Sequence, residues 1–339
     1  MRYMELVKNI KKNTIILLIL TTIILFLVLK DDFDLIIKTL SSMNYWFILL
    51  AIILFLIYIA LRGYVNYKIV NNPKKISLKE AIKHNIIVQF FNGITPFSTG
   101  GQPMEIYMLT EHDIKTSEAA TYTIQSFIFY QVALVICGAL AVSYNFIFHI
   151  FPKSAFLREL TLLGFIINTL VAVGLFLITF SDKFTKKMTK WFVRFLYKIK
   201  VIKDKEKTIE KWYSKLDDFH GSAKELRKRK KLFIFGVLIN IISLVCLYII
   251  PLIIVFSLND FSSMNIADSL VSSAYVLLIG SFVPIPGASG GIEFGFLNFF
   301  NNFLKRGALT AVLIVWRFIT YYFGMIIGAL TFSLEQKGD

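Results

Sequence analysis

The chain has 339 residues, of which 56% are hydrophobic and 15% aromatic, and its formal net charge is +15. Its mean hydropathy of +0.66 and its 17% of charged residues exclude an ordinary soluble globular protein, in which charges are more frequent. The excess of Lys and Arg lies in segments between apolar runs, which is the pattern of membrane topology and excludes a nucleic-acid partner. We predict an all-α polytopic membrane protein whose residues 1–339 form a single integral-membrane domain.

Six apolar runs are the clear candidates for membrane spans, which need roughly 20 helical residues each. The first follows a basic start and has no small-residue cleavage site after it, so we interpret it as an uncleaved span rather than a signal peptide. In chain order the six runs cover residues 14–29, 45–70, 119–148, 160–180, 232–258 and 308–334.

Two further apolar regions, residues 81–109 and 266–304, are interrupted by glycine and proline. The distribution of positive charge decides how they are placed. The segment 182–230 holds 17 Lys and Arg against 7 Asp and Glu, so it is predicted to be cytoplasmic, like the basic N-terminus and the basic loop around residues 74–83. All three lie inside if the six runs cross and the two interrupted regions do not. We therefore predict six full spans plus two re-entrant hairpins, the first entering from the cytoplasm and the second from outside, with both termini cytoplasmic.

The two interrupted regions share a motif. Residues 94–109 read ITPFSTGGQPMEIYML and residues 281–296 read SFVPIPGASGGIEFGF. Both contain P-x-x-x-G-G, followed within four residues by a glutamate. Matching breaks that enter from opposite faces predict an inverted repeat with a site near the bilayer midplane. Repeat one would cover about 14–148 and repeat two about 160–334; the alternative is two kinked helices with a chance similarity.

Irregular backbone at membrane depth suits an anion site. A helix that begins inside the membrane presents backbone amides without partners, and its dipole adds positive charge there. Two such helix starts in one cavity predict a phosphate-bearing ligand, most simply the headgroup of a membrane lipid. At the first break the candidate lipid-binding residues are Asn92, Thr95, Pro96, Ser98, Thr99, Gly100, Gly101, Gln102, Pro103 and Glu105. At the second break they are Pro284, Pro286, Gly287, Ser289, Gly290, Gly291 and Glu293. We expect Gly100 and Gly290 to leave no room for a side chain.

Two arginines, Arg62 and Arg317, lie deep in predicted spans and complete the candidate site. Charges at such depth are costly and face a partner or water, and the guanidinium fork suits a phosphate. The alternatives are that Arg62 reaches the membrane interface and that Arg317 only pairs with Glu293. The two glutamates, Glu105 and Glu293, could pair with these arginines, bind a cationic headgroup or carry a proton.

The segments ITPFSTGGQP and PIPGASGGIE resemble the signature of the flippase-like family named after the transmembrane region of lysylphosphatidylglycerol synthases. That region is the membrane half of MprF-type multipeptide resistance factors, proteins of antibiotic resistance in the plasma membrane. The resemblance implies that the chain moves a lipid between leaflets: an aminoacyl-phosphatidylglycerol such as lysylphosphatidylglycerol, or a related phospholipid or glycolipid. It also implies that residues 95–103 and 284–293 form the functional centre.

In two-part members of that family, a separate soluble domain transfers lysine from tRNA to the lipid. This chain ends at Asp339, a few residues after its last apolar run. We therefore expect a standalone member without phosphatidylglycerol lysyltransferase activity of its own, despite the family name. A separate lipid-modifying enzyme would then make the substrate.

Two other classes of function remain as alternatives. An intramembrane serine protease is suggested by the G-x-S-G at residues 287–290, but it is disfavoured because no histidine follows His220 to activate Ser289. A secondary transporter of a small anion would use the same broken helices. The four histidines lack ligand spacing and there is no phosphate-binding G-x-x-x-x-G-K-[ST] loop, so we predict no metal and no cofactor.

The basic segment 182–230 contains an amphipathic pattern. Apolar residues recur at helical spacing among its lysines, which is typical of a helix lying on anionic lipid. A solvated connector is the alternative. The apolar positions are Phe184, Met188, Trp191, Phe195 and Ile199.

Overall fold

The computed structural model describes residues 33–70, 76–151, 155–199, 201–202 and 204–335, and within these ranges the chain is helical without any strand. The helices up to the basic segment are α1 (Phe33–Ser41), α2 (Tyr45–Val70), α3 (Leu78–Gly93), α4 (Gly101–Glu111), α5 (Thr116–Phe148) and α6 (Ala155–Phe180). The remaining helices are α7 (Asp182–Lys198), α8 (Lys205–Arg227), α9 (Lys230–Tyr248), α10 (Ile250–Ser257), α11 (Ile266–Gly280), α12 (Gly291–Phe300), α13 (Arg306–Arg317) and α14 (Gly324–Glu335).

Five stretches of helix in the described residues are long and apolar enough to cross a membrane, which confirms the helical membrane class. They coincide with five of the six predicted runs. The predicted first span, residues 14–29, lies outside the described residues. The five stretches are Tyr45–Val70, Thr116–Phe148, Phe156–Phe180, Lys230–Ser257 and Gly307–Glu335.

The region predicted as the first hairpin consists of two short helices separated by a turn. Ser77 begins α3 with a capping box, because its hydroxyl accepts from the Glu80 amide at 3.3 Å while the Glu80 carboxylate accepts from the Ser77 amide. After α3 a single 3-10 turn, Pro96–Ser98, leads into α4. With 16 and 11 residues, α3 and α4 are each shorter than the roughly 20 residues of a full span.

The second interrupted region has the same plan. Asn265 caps α11, accepting from the Asp268 amide at 3.0 Å. A 3-10 turn, Pro286–Ala288, then separates α11 with its 15 residues from α12 with its 10. The two 3-10 turns contact each other, so the two helix breaks meet in the fold.

The basic segment folds into the helical pair α7 and α8, which confirms that its amphipathic pattern is helical. Thr185, Thr189 and Val193 face the protein, one turn apart. Trp191 and Phe195 lie on another side of the helix and are exposed. Their rings stack, with centroids 6.2 Å apart. Contact of this face with anionic lipid stays a prediction.

Candidate functional site

The backbone around the proline of the two helix breaks is nearly the same. Thr95 (φ −117°, ψ 142°) and Ile285 (φ −114°, ψ 143°) are both extended just before the proline. Phe97 (φ 53°) and Gly287 (φ 63°) then both adopt the left-handed region. A left-handed phenylalanine costs about 1–2 kcal/mol, and the Phe97 side chain is 56% exposed rather than packed in the core. The two breaks then diverge, because Gly100 has φ −77° whereas Gly290 has φ 89°. The shared motif therefore corresponds to a shared local structure at the proline turn but not at the first glycine of each pair.

At the first break, side chains already satisfy the amides that begin α4. Asn92 Oδ1 accepts from the Gly101 amide at 3.0 Å. Thr95 Oγ1 accepts from the Gly100 amide at 2.8 Å and donates to the Phe91 carbonyl at 2.7 Å. The expectation that these amides are without partners is therefore wrong here, because the turn brings two polar side chains onto them.

The second break is closed by a buried ion pair. Arg317 Nε lies 2.7 Å from Glu293 Oε1, an ion-pair contact without hydrogen-bond alignment, and both residues are buried. Glu293 Oε2 accepts from the Gly290 amide at 2.7 Å, so this amide is occupied as well. Arg317 Nη2 donates to the Gly287 carbonyl at 3.2 Å and to Ser289 Oγ at 3.3 Å. The alternative in which Arg317 pairs with Glu293 is thus observed.

Tyr321 joins the two breaks. It lies in a π-helical turn, Phe318–Phe323, that follows Arg317 directly. Its hydroxyl donates to the Gly93 carbonyl at 2.8 Å, and its ring lies 4.5 Å from Arg317 Cζ. A Cβ atom at Gly287 would overlap this ring. Irregular turns of this kind are frequent at functional sites, and nothing in the local sequence indicated this one.

Arg62 is held by aromatic rings rather than by an acid. Its Nη1 donates to the Tyr58 hydroxyl at 3.0 Å, and its Cζ lies 4.3 Å from the centroid of the Tyr130 ring. Within the described residues no carboxylate lies at ion-pairing distance from it. Glu105 instead accepts from Asn66 Nδ2 at 2.6 Å and lines a separate pocket of about 10 Å³. The Arg62 cation therefore forms no ion pair within the described residues, although Glu105 is near enough for the two charges to interact through space.

Both breaks and both arginines line one half-open cavity of about 680 Å³. Of the predicted site residues, the following line it: Arg62, Asn92, Ser98, Gln102, Gly287 and Arg317. The others belong to the two turns, the helix starts and the small pocket: Thr95, Pro96, Thr99, Gly100, Gly101, Pro103, Glu105, Pro284, Pro286, Ser289, Gly290, Gly291 and Glu293. Lining residues that sequence reasoning missed include Tyr58, Gln89, Tyr130, Gln131, Asn168, Ser281, Thr320 and Tyr321.

A chain of neutral polar groups forms part of the cavity wall. Gln131 Nε2 donates to Asn168 Oδ1 at 2.7 Å, and Asn168 Nδ2 donates to Ser281 Oγ at 2.6 Å. Gln131 and Asn168 are buried although both lie on apolar spans. An amide side chain inside a membrane span is costly unless it has a hydrogen-bond partner. A glutamine and an asparagine in the middle of apolar runs were therefore the sequence signal that could have identified Gln131 and Asn168.

Ser289 is part of the turn. Its hydroxyl donates to the Pro286 carbonyl at 3.2 Å and accepts from Arg317. Among the described residues there is no group of three or more His, Cys, Asp or Glu that could hold a metal ion.

A family model described as the lysylphosphatidylglycerol synthase TM region matches residues 14–328, which include both breaks and the whole cavity lining. The chain belongs to this family. The predicted family resemblance is therefore confirmed. A UPF0104 membrane protein of Archaeoglobus fulgidus is 24% identical over 305 residues, covering 84% of this chain and 86% of that protein. A Mycoplasma pneumoniae protein described as "Uncharacterized protein MG306 homolog" is 21% identical over 347 residues, covering 94% of this chain and 85% of its own.

Proposed function

We propose that this member of the family moves a phosphate-bearing lipid between the two leaflets and takes the headgroup into the cavity between the two helix breaks. The cargo class is aminoacyl-phosphatidylglycerol, such as lysylphosphatidylglycerol, or a related phospholipid or glycolipid. One observation carries the proposal: Arg62 presents to this cavity a cation that has no carboxylate within ion-pairing distance among the described residues.

The physical problem for such a protein is the headgroup, because drawing a charged phosphate out of water costs several kcal/mol unless a counter-charge receives it. Arg62 supplies that charge, and its planar fork can donate two hydrogen bonds to one phosphate. A volume of about 680 Å³ is in the range of small-molecule sites, so a headgroup fits while the acyl chains stay in the bilayer.

The proposed topology has the two helix breaks as re-entrant hairpins of an inverted repeat. This topology has six spans, with residues 14–29 as the first. It places the protein in the plasma membrane, with both termini and the segment 182–230 on the cytoplasmic side. The short lengths of α3, α4, α11 and α12 support this topology, since each is too short to span a bilayer alone.

Single-cysteine labelling tests this topology. In a background with Cys137 and Cys246 replaced by serine, a Lys215→Cys variant should react with an impermeant maleimide only after the cells are opened. A Lys38→Cys variant should react in intact cells, because α1 precedes the second predicted span on the outer side. Both lysines are exposed on the protein. External labelling at residue 215 would contradict the topology.

Lipid movement can be measured on the purified protein in vesicles. Vesicles of phosphatidylglycerol and phosphatidylcholine would contain a trace of acyl-chain-labelled fluorescent phosphatidylglycerol. Dithionite added outside bleaches only the outer leaflet, so protein-free vesicles should keep about half of their fluorescence. Vesicles with the protein should lose most of it. Equal bleaching of vesicles with and without the protein would contradict the proposal. If the protein moved inorganic phosphate into the vesicles but no lipid, the small-anion transporter would be supported.

A further inference from the structure

We infer that the cavity selects an anionic headgroup with neutral hydroxyls, such as a glycerol or sugar attached to phosphate, over a headgroup that carries an ammonium group. This inference rests on the proposed function and narrows its cargo. Among the described residues, the charged side chains that line the cavity are Arg62 and Arg317, and no acidic side chain lines it.

The charge balance of the cavity disfavours a second cation. Arg317 forms a direct ion pair with Glu293, whereas no carboxylate of the described residues is in contact with Arg62 and Glu105 acts on it only through space. The carboxylate of Glu105 does not line the cavity; it faces the small pocket, where Asn66 holds it. An ammonium group that entered with the phosphate would leave water for a site of like charge, without a carboxylate to receive it.

Aromatic faces are the other common receptors for an ammonium group, and two of those in the cavity are already occupied. The guanidinium of Arg62 lies 4.3 Å from the Tyr130 ring centroid, and that of Arg317 lies 4.5 Å from the Tyr321 ring centroid. Both tyrosines therefore already receive a cation from the chain itself.

Five neutral amides belong to the polar lining, and an amide is suited to a hydroxyl because both groups donate and accept. Gln131 uses its Nε2 on Asn168, and within the described residues no donor reaches its Oε1. Asn92 uses its Oδ1 on the Gly101 amide, which leaves its NH2 group for a ligand. The cavity thus offers at least one acceptor and one donor beside the Arg62 cation. The five lining amides are Gln89, Asn92, Gln102, Gln131 and Asn168.

The test compares acyl-chain-labelled lipids that share the same chains and differ in headgroup. Phosphatidylglycerol is anionic with hydroxyls, phosphatidylserine is anionic with an ammonium, and lysylphosphatidylglycerol carries two ammonium groups. In the bleaching assay we expect phosphatidylglycerol to cross at least about tenfold faster than either of the others, a difference typical of one unpaired charge. Equal or faster movement of lysylphosphatidylglycerol would overturn the inference and leave the proposed function standing.

If no lipid crosses, the proposed function fails, and a binding measurement still decides the headgroup class. Trp316 lines the cavity, so its fluorescence in a variant with Trp46, Trp191 and Trp212 replaced by phenylalanine reports occupancy. Water-soluble dioctanoyl-phosphatidylglycerol should change this signal at a concentration at least about tenfold lower than dioctanoyl-lysylphosphatidylglycerol does. Equal midpoints would overturn the inference.

A charge placed in the cavity should change the selectivity. Gln102 lines the cavity in the first turn of α4, where a carboxylate suits the helix dipole, so Gln102→Glu should fold. We expect this variant to narrow the preference for phosphatidylglycerol over lysylphosphatidylglycerol by roughly tenfold. Gln102→Met, which removes the amide without adding a charge, should narrow it by clearly less. An unchanged ratio in Gln102→Glu would contradict the electrostatic basis of the inference.

Discussion

Replacing Arg62 with glutamine is expected to slow lipid movement by roughly 10- to 100-fold, the loss that corresponds to one charge-assisted hydrogen bond. Arg62 lines the cavity, and its direct contacts within the described part of the chain are with Tyr58 and Tyr130. Its removal would therefore leave the headgroup phosphate without its counter-charge. Initial rates of dithionite bleaching in vesicles measure the effect. An Arg62→Lys variant should give a bleaching rate between those of the unaltered protein and of Arg62→Gln, since lysine keeps the charge and lacks the planar fork.

Lys68 provides the matched control for charge. It lies on the same helix, α2, with its ammonium group 5.3 Å from the Tyr64 ring, and it is not among the residues lining the cavity. Lys68→Gln should move lipid at close to the rate of the unaltered protein. An Arg62→Gln variant that unfolds at the same temperature as the parent and moves lipid equally fast would show that Arg62 does not receive the phosphate.

Replacing Gly287 with valine is expected to destabilise the fold by about 2–5 kcal/mol and to abolish lipid movement. A left-handed β-branched residue costs about 1–2 kcal/mol, and forcing a side chain into packed space costs about 1–3 kcal/mol more. The new side chain would displace the Tyr321 ring, which joins the second break to Gly93. The midpoint of thermal unfolding in detergent and the bleaching rate measure the two effects.

Gly174 is the control for this substitution, because no atom lies within 4 Å of the position of a Cβ on it. Gly174→Val should leave both the unfolding midpoint and the bleaching rate unchanged or slightly improved, since valine favours a helix over glycine. Full activity in Gly287→Val would mean that contact between the two breaks is not needed.

The same comparison corrects one sequence-based expectation about the glycines. Gly100 does lack room, since a Cβ there would lie 2.7 Å from the Phe91 carbonyl oxygen. At Gly290 nothing lies within 4 Å, so the expectation of missing space is wrong there. Glycine is needed at Gly290 because φ is 89°, a value that side chains disfavour.

Composition and local pattern alone determined the membrane class, five of the helical stretches and the position of both breaks. Apolar runs of spanning length have few alternatives to a helix, because a lipid-exposed backbone must satisfy its own hydrogen bonds. The breaks were readable because proline removes a donor and glycine permits left-handed turns. Pro96 and Pro286 accordingly begin the two 3-10 turns. The family also followed from these two motifs, and the match over residues 14–328 confirms it.

The chemistry of the site was decided only by the tertiary structure. Arg62 and Arg317 are the same residue type at similar predicted depth, yet of the two only Arg317 contacts a carboxylate of the described residues. The contact of Tyr321 with Gly93 joins residues 228 positions apart, and no local pattern encodes it. Whether a polar group has a hydrogen-bond partner depends on which helices pack together and on how each turn orients its side chains. The sequence therefore located the two breaks, while packing determined that Arg317 contacts a carboxylate and that Arg62 lines the cavity without such a contact among the described residues.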